Sequence, residues 1–147
     1  DPGNVGGILR TAHALGADIF ITIGSADPFH PRAVRTSMGS LFKLPVVSTS
    51  LTEFFAALRP YAIQTIGTVA ENGIPLPQIN VGMGGTAVFM GSEYWGLPEK
   101  LLARLNHQVT IPMVNGIDSF SVNAAAAIVL YELKRQKQLS KGKMNFK

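Results

Sequence analysis

The sequence has no cysteine, and this absence excludes a disulfide framework and any metal site built on thiolates. It is also typical of a protein from a reducing compartment, so we expect a cytoplasmic protein. No apolar run approaches the length of about 18 residues that a membrane-spanning helix requires, so no membrane partner is expected. Charged residues make up only 15% of the 147 positions and hydrophobic residues 46%, which is typical of one globular domain.

Histidine is also scarce, and its three copies do not form the pattern of a metal or catalytic site. His13 lies in a predicted helix, His30 lies between two prolines, and His107 directly precedes a predicted strand. These positions have neither the spacing of metal ligands nor a Ser-His-Asp order. Scattered core or surface histidines are therefore the better interpretation, and we expect no metal.

Basic residues exceed acidic residues by 13 to 9, which gives a formal net charge of +4. Six of the 13 basic residues lie within residues 134–147, so the bulk of the fold is close to neutral. A basic end can attract nucleic acid, but a solvated terminus is the commoner explanation. We assign residues 1–137 to one domain and residues 138–147 to a basic C-terminal tail.

Helical and extended segments alternate along the chain. Apolar runs predict strands at residues 18–23, 44–48, 62–69, 86–90 and 108–111, with residues 78–81 a short strand or none. Helices are predicted at residues 5–15, 32–38, 51–59, 98–105 and from about residue 121. This order predicts an α/β fold with a mostly parallel sheet and helices on both faces.

Capping residues place several helix starts. Asn4 is the predicted N-cap of the first helix, and Asp118 or Ser119 that of the last. Ser50 and Glu53 have the S-x-x-E form of a capping box, so a helix is predicted to begin directly after Ser50.

Ligands of parallel α/β sheets bind beyond the carboxyl ends of the strands, which in this chain are the loops after Val69, Met90 and Ile111. The loop after Met90 places Glu93 and the sole tryptophan between two glycines. The loop after Ile111 leads into a helix with Ala-rich first turns, whose N-terminus can hold a polar ligand. The same residues also have an explanation that involves no function. Glu93 would then be an exposed acid in a turn, and Ser119 would only cap the helix.

A third cluster, at the beginning of the chain, combines glycines with a helix start. Gly3, Gly6 and Gly7 would allow the backbone to approach an anion, and Arg10 could form a bidentate contact with phosphate. A capped surface helix with an exposed arginine explains the same pattern. The cluster is not the dinucleotide fingerprint, because no strand precedes it and G-x-G-x-x-G is absent.

Taken together and in order, these three stretches resemble a known family. DPGNVGGILRTA, VFMGSEYWGLP and IPMVNGIDSFSVNAAAAIVLYE are similar to the three motifs of the SpoU, or TrmH-like, RNA 2′-O-ribose methyltransferases. The resemblance spans residues 1–132. It implies a C-terminal trefoil knot that forms a site for S-adenosylmethionine, and a homodimer whose active sites are completed at the interface. It also implies that a first strand and an N-terminal RNA-binding domain precede Asp1.

The resemblance assigns site residues by position. Contacts to the cofactor are expected from Thr68, Met90, Gly91, Ile111, Met113 and Phe120. Catalytic roles are expected for Asn4, Arg10, Glu93 and Ser119. A guanidinium stays protonated, so we expect Arg10 to stabilise the developing oxyanion while the other three position the reactants. The 2′-hydroxyl acceptor implies RNA rather than DNA as substrate.

Two departures from the family pattern keep other functions open. The family usually reads S-L-N-V-S where this chain has residues 119–123, so Ser121 replaces an asparagine and Asn123 a serine. Tyr94 stands where a glycine often follows the acid. These exchanges motivate the alternative of an inactive SpoU-like RNA-binding or assembly factor. An NAD-type enzyme is a third hypothesis, but its fingerprint is absent. We predict S-adenosylmethionine-dependent methyl transfer to a ribose 2′-hydroxyl of tRNA or rRNA.

Overall fold

The computed structural model describes residues 1–142 and divides them between an N-terminal unit, Asp1–Tyr61, and a C-terminal unit that begins at Ala62. The N-terminal unit contains α1 (Pro2–Ala14), β1 (Phe20–Ile23), α2 (Pro31–Thr36), a 3₁₀ turn (Ser40–Phe42), β2 (Val46–Thr49) and α3 (Leu51–Leu58). The C-terminal unit contains β3 (Ile63–Thr68), β4 (Ile74–Pro75), a 3₁₀ turn (Leu76–Gln78), β5 (Gly85–Phe89), α4 (Glu99–Leu102), β6 (His107–Thr110) and α5 (Val122–Ser140). The α/β alternation predicted from the sequence is confirmed.

All ladders between these strands are parallel, which confirms the predicted pairing. β1 pairs with β2 in the N-terminal unit, and the strands of the C-terminal unit pair in the order β4-β6-β3-β5. Within residues 1–142 these ladders form a two-stranded sheet and a four-stranded sheet. In the larger sheet β3 pairs along one edge with β5 and along the other with β6, so it has neighbours on both edges inside the C-terminal unit.

Helices cover both faces of the four-stranded sheet, as predicted. On one face, Ile66 of β3 forms the core with Val129 and Leu133 of α5. Gly67 points to the opposite face, because side chains alternate along a strand. A Cβ on Gly67 would lie 2.6 Å from Leu105 and 3.0 Å from Leu102, so a glycine lets the α4 region pack closely on β3.

The start of α3 agrees with the sequence, and the start of α1 does not. In the predicted capping box, Glu53 N–H donates to Ser50 Oγ at 3.2 Å, and Ser50 N–H donates to Glu53 Oε2 at 3.0 Å. The hydrogen bond from the Ser50 backbone N–H is the largest cause that lowers the pKa of the Glu53 carboxyl. The hydrogen bonds from the Ser50 and Thr49 hydroxyls lower this pKa further. α1 begins at Pro2, which suits a first helical position, and Asp1 Oδ1 accepts the Asn4 N–H at 3.0 Å. Asn4 therefore lies inside the helix, and its prediction as N-cap was wrong.

The start of α5 also differs from the prediction. Ser121 is the N-cap, since its Oγ accepts the Ala124 N–H at 3.3 Å, and neither Asp118 nor Ser119 takes that role. The helix continues through Ser140, so residues 138–140 of the predicted tail are helical. Residues 143–147 of that tail lie outside the described residues. In residues 1–142, no helix has both the length and the apolar character that a membrane crossing requires.

Candidate active site

Three loops at the carboxyl ends of strands meet in the C-terminal unit, as predicted. They follow β3, β5 and β6, which are hydrogen-bonded neighbours. Together with the first turn of α5 they line a pocket of about 420 Å³. The lining comes from residues 68–70, residues 90–97 and the segment 109–125. Sites for small molecules have volumes of roughly 300–1,000 Å³, so the pocket can hold a ligand of nucleoside size.

Most of the residues that the sequence assigned to a site line this pocket. The six predicted cofactor residues are all present: Thr68, Met90, Gly91, Ile111, Met113 and Phe120. Two of the four predicted catalytic residues, Glu93 and Ser119, line it as well. These residues are far apart in the sequence, so the parallel sheet is what brings them together.

The other two predicted catalytic residues, Asn4 and Arg10, lie on α1 of the N-terminal unit. α1 buries Val5 and Leu9, while Arg10 is exposed. The residues that line the pocket belong to the C-terminal unit. The assignment of Asn4 and Arg10 to the site therefore stays a prediction.

The loop after β5 is closed at its base. Ser92 N–H donates to Gly96 O at 3.2 Å, and Gly96 N–H donates to Ser92 O at 3.0 Å. Trp95 N–H donates to Ser92 Oγ at 3.1 Å. Gly96 has a φ of 63°, and a Cβ on Gly91 would collide with the Gly96 carbonyl carbon. Both glycines are therefore required by the closed base, and the three residues between Ser92 and Gly96 form the tip.

The ends of β3 and β5 are joined at the pocket by a side chain. The Thr68 hydroxyl donates to Phe89 O at 3.2 Å and contacts Met90 Sδ at 3.7 Å. Thr68 and Met90 are both predicted cofactor residues. The bond fixes the rotamer of Thr68 and places the Met90 thioether beside it at the pocket wall.

The charges around the pocket suit a ligand that carries both signs. Among the described lining residues, Glu93 and Asp118 are acidic and none is basic. The lining also includes Val122 and Ala125 from the first turn of α5. The N-terminus of a helix of 19 residues carries a partial positive charge. Carboxylates can thus attract a cationic centre while the helix end favours an anionic group.

The pocket wall also contains residues that were not assigned to a site from the sequence, and three of them carry an acidic or aromatic side chain. Asp118 was predicted only as a helix cap, and Tyr94 and Trp95 received no role. Their positions in the sequence could have identified them as pocket residues, because they share their loops with Glu93 and Ser119. No group of three or more His, Asp or Glu side chains in residues 1–142 is arranged to hold a metal ion.

The chain is similar to known sequences. Residues 1–131 match the model of the SpoU rRNA Methylase family. The chain is 33% identical over 135 residues to the 23S rRNA (guanosine(2553)-2′-O)-methyltransferase RlmP of Bacillus subtilis, covering 91% of this chain and 54% of that protein. It is 34% identical over 143 residues to the 23S rRNA (uridine(2479)-2′-O)-methyltransferase of Streptomyces viridochromogenes, covering 92% and 50%. The chain thus spans about half the length of these relatives.

The chain is also similar to a solved structure. The crystal structure of the SpoU methyltransferase AviRb from Streptomyces viridochromogenes, in complex with the cofactor AdoMet, matches with a TM-score of 0.86 at 33% identity. The match covers 93% of this chain and 54% of that chain. The α/β arrangement described above is therefore similar to that of a methyltransferase fold.

Proposed function

The chain belongs to the SpoU rRNA Methylase family, and on this premise we propose that it transfers a methyl group from S-adenosylmethionine to a ribose 2′-hydroxyl of tRNA or rRNA. The observation that carries the proposal is the convergence of six predicted cofactor residues, with Glu93 and Ser119, on one pocket. The relatives named as 2′-O-methyltransferases of 23S rRNA support the acceptor. They give no support to the alternative of an inactive assembly factor.

The pocket fits S-adenosylmethionine in size and charge. The carboxylates of Glu93 and Asp118 favour the positive sulfur and amino groups, and the N-terminus of α5 favours the carboxylate. Backbone groups of Gly91, Ile111 and Phe120 would hold the cofactor. Thr68, Met90 and Met113 complete the wall around it. When bound, the cofactor supplies a methyl group that its positive sulfur activates.

The chain's own residues align the acceptor and stabilise its charge. Arg10 stabilises the negative charge that develops on the 2′-oxygen, because a guanidinium remains protonated and cannot serve as a base at neutral pH. Asn4, Glu93 and Ser119 position the reactants. Alignment of this kind can supply about 7–11 kcal/mol of a reaction barrier. Asn4 and Arg10 of α1 must therefore act on the same ribose as Glu93 and Ser119 of the pocket.

The proposal extends to the assembly in which these groups meet. We propose a cytoplasmic homodimer, in which the segment between β6 and α5 belongs to a trefoil knot. Each pocket receives Asn4 and Arg10 of the partner subunit. Support comes from Arg10, which is exposed on α1 and so is available to a second chain.

Two measurements together test the proposal. Titration calorimetry measures the binding of S-adenosylmethionine, and a second assay measures transfer of a labelled methyl group to bulk unmethylated RNA. We expect binding of the cofactor and transfer to ribose 2′-oxygens. Cofactor binding without transfer to any RNA would reject the enzymatic function.

Replacement of Arg10 by alanine tests its role. Arg10→Ala should reduce transfer by at least about 100-fold, the scale of losing a group that stabilises an oxyanion. The dissociation constant of S-adenosylmethionine should stay within a few fold. Arg59→Ala, which removes an exposed arginine of the same unit at the end of α3, is the matched control and should retain transfer. A large loss of cofactor affinity in Arg10→Ala would contradict the assigned role.

A further inference from the structure

Two aromatic residues on the loop after β5 are almost completely exposed. Tyr94 is 88% exposed and Trp95 is 89% exposed, although both belong to the loop that lines the pocket. A buried aromatic ring stabilises a fold through its large apolar area, and these two rings contribute little of that. Exposed apolar patches beside a pocket mark a surface that a ligand or partner covers.

The backbone presents these rings on a fixed turn. Ser92 and Gly96 close the loop by two hydrogen bonds, and Ser92 Oγ also accepts the Trp95 N–H at 3.1 Å. Gly91 and the base of the loop pack without room for a Cβ. A ring held on such a turn loses less conformational entropy when a ligand stacks on it.

The chemistry of the tip favours a flat ligand with a polar edge. Tyrosine and tryptophan each combine a large π-face with one hydrogen-bonding group, and Glu93 precedes them directly. Such rings are the usual stacking surfaces for the bases of unpaired RNA, since every base has a π-face. The core of a protein–protein interface is depleted of charged residues, whereas a carboxylate beside the rings can accept a hydrogen bond from the amino group of a base.

We propose that Tyr94 and Trp95 form a stacking platform for a nucleobase of the substrate RNA, beside the pocket for the methyl donor. This inference rests on the proposed function and adds a property of its substrate. Only an unstacked base offers its face, so the target nucleotide lies in a single-stranded segment. Tyr94 stands where the resembled motif often has glycine, so the two-ring platform distinguishes this chain from that pattern.

Trp95 is the only tryptophan, so its fluorescence reports on the platform directly. In the presence of saturating S-adenosylmethionine, a single-stranded RNA oligonucleotide should quench about half or more of the emission through stacking. An oligomer with the same ribose-phosphate backbone and no bases should leave the emission unchanged. Equal quenching by both oligomers would overturn the platform, because it would assign the contact to phosphate.

Variants separate stacking from folding. Tyr94→Ala and Trp95→Ala should each raise the dissociation constant and KM for RNA by about tenfold, while the dissociation constant of S-adenosylmethionine stays within a few fold. Tyr94→Phe and Trp95→Phe retain a ring and should recover most of the affinity. Tyr61→Ala removes another exposed ring, 66% exposed in the N-terminal unit, and should change nothing.

Methyl transfer by the unaltered chain, measured in parallel, distinguishes the two proposals. Transfer that is insensitive to both alanine variants overturns the platform and leaves the proposed function standing. Base-dependent quenching without any transfer supports the platform and rejects the function. A Trp95 emission that shifts to the blue with protein concentration alone would assign the rings to an interface between copies of this chain and would overturn the platform.

Discussion

Ser119 and Ser121 are two positions apart in one loop, yet the structure places them differently. Ser121 Oγ accepts the Ala124 N–H and caps α5, whereas Ser119 lines the pocket. Serine and asparagine are both good N-cap residues. Serine in place of the family's asparagine at position 121 therefore keeps a good N-cap residue at the start of α5.

The two serines can be separated by experiment. Ser121→Ala removes the cap and should lower the free energy of unfolding by about 1 kcal/mol, measured by urea denaturation. Ser119→Ala is the matched control, and its unfolding free energy should change by less than about 0.5 kcal/mol, as expected for a surface site. In the transfer assay Ser119→Ala should be the more impaired variant. Equal stability of the two variants would contradict the assignment of the cap.

At the scale of elements, α1 and α2 approach each other closely because Gly6 has no side chain. A Cβ on Gly6 would collide with Thr36 Oγ1 and with the backbone of Ala33. The Thr36 hydroxyl donates to Gly3 O at 3.0 Å across the same contact. Since Arg10 lies on α1, this packing also determines how Arg10 is held within the N-terminal unit.

Gly6→Ala should therefore destabilise the chain by about 1–3 kcal/mol, the cost of adding a methyl group to a filled contact. Gly3→Ala, one turn earlier on α1, is the matched control. Its Cβ would meet only exposed side-chain atoms, Asp1 Oδ1 at 2.8 Å and Arg32 Nε at 3.0 Å, so its cost is limited to the N-cap and the ion pair that Asp1 makes and does not include a backbone collision. Alanine also favours a helix by up to about 1 kcal/mol over glycine. Urea denaturation giving equal losses for both variants would show that the close approach is not required.

Elements were predictable where the signal is local. The capping box of Ser50 and Glu53 follows from neighbouring residues, and the parallel pairing follows from the alternation of strands and helices; both are confirmed. The cap of α5 was not predictable, because Asp118, Ser119 and Ser121 are all acceptable N-cap residues. Which of them caps the helix depends on the residue at which the preceding loop ends. β4 was missed since its two residues pair with distant β6, and no local pattern marks a strand that short.

At the scale of the whole molecule, the sequence predicted the pocket but not the placement of Arg10. The order of strands and helices sends the loops after β3, β5 and β6 to one edge of the sheet. That rule is enough to place Glu93 and Ser119 together. Which pocket Arg10 serves depends on contacts between distant parts of the molecule or between chains, and no local sequence pattern encodes such contacts.

Complementation between two inactive variants tests the proposed dimer. Arg10→Ala keeps a pocket and lacks the arginine. Gly91→Ala keeps the arginine, and its Cβ collides with the Gly96 backbone and should prevent binding of the cofactor. If each pocket uses Arg10 of the partner subunit, a heterodimer contains one complete site.

Co-expression of the two variants should therefore restore transfer although neither is active alone. Half of randomly paired dimers are heterodimers with one of two sites complete, so the mixture should reach about a quarter of the unaltered rate. A heterodimer purified with two different tags should reach about half, because the inactive pairs are removed. The Arg10→Ala chain paired with a second tagged copy of itself is the control and should remain inactive. Heterodimers that form and stay inactive would mean that Arg10 serves the pocket of its own chain, whereas failure to form any dimer would contradict the assembly itself.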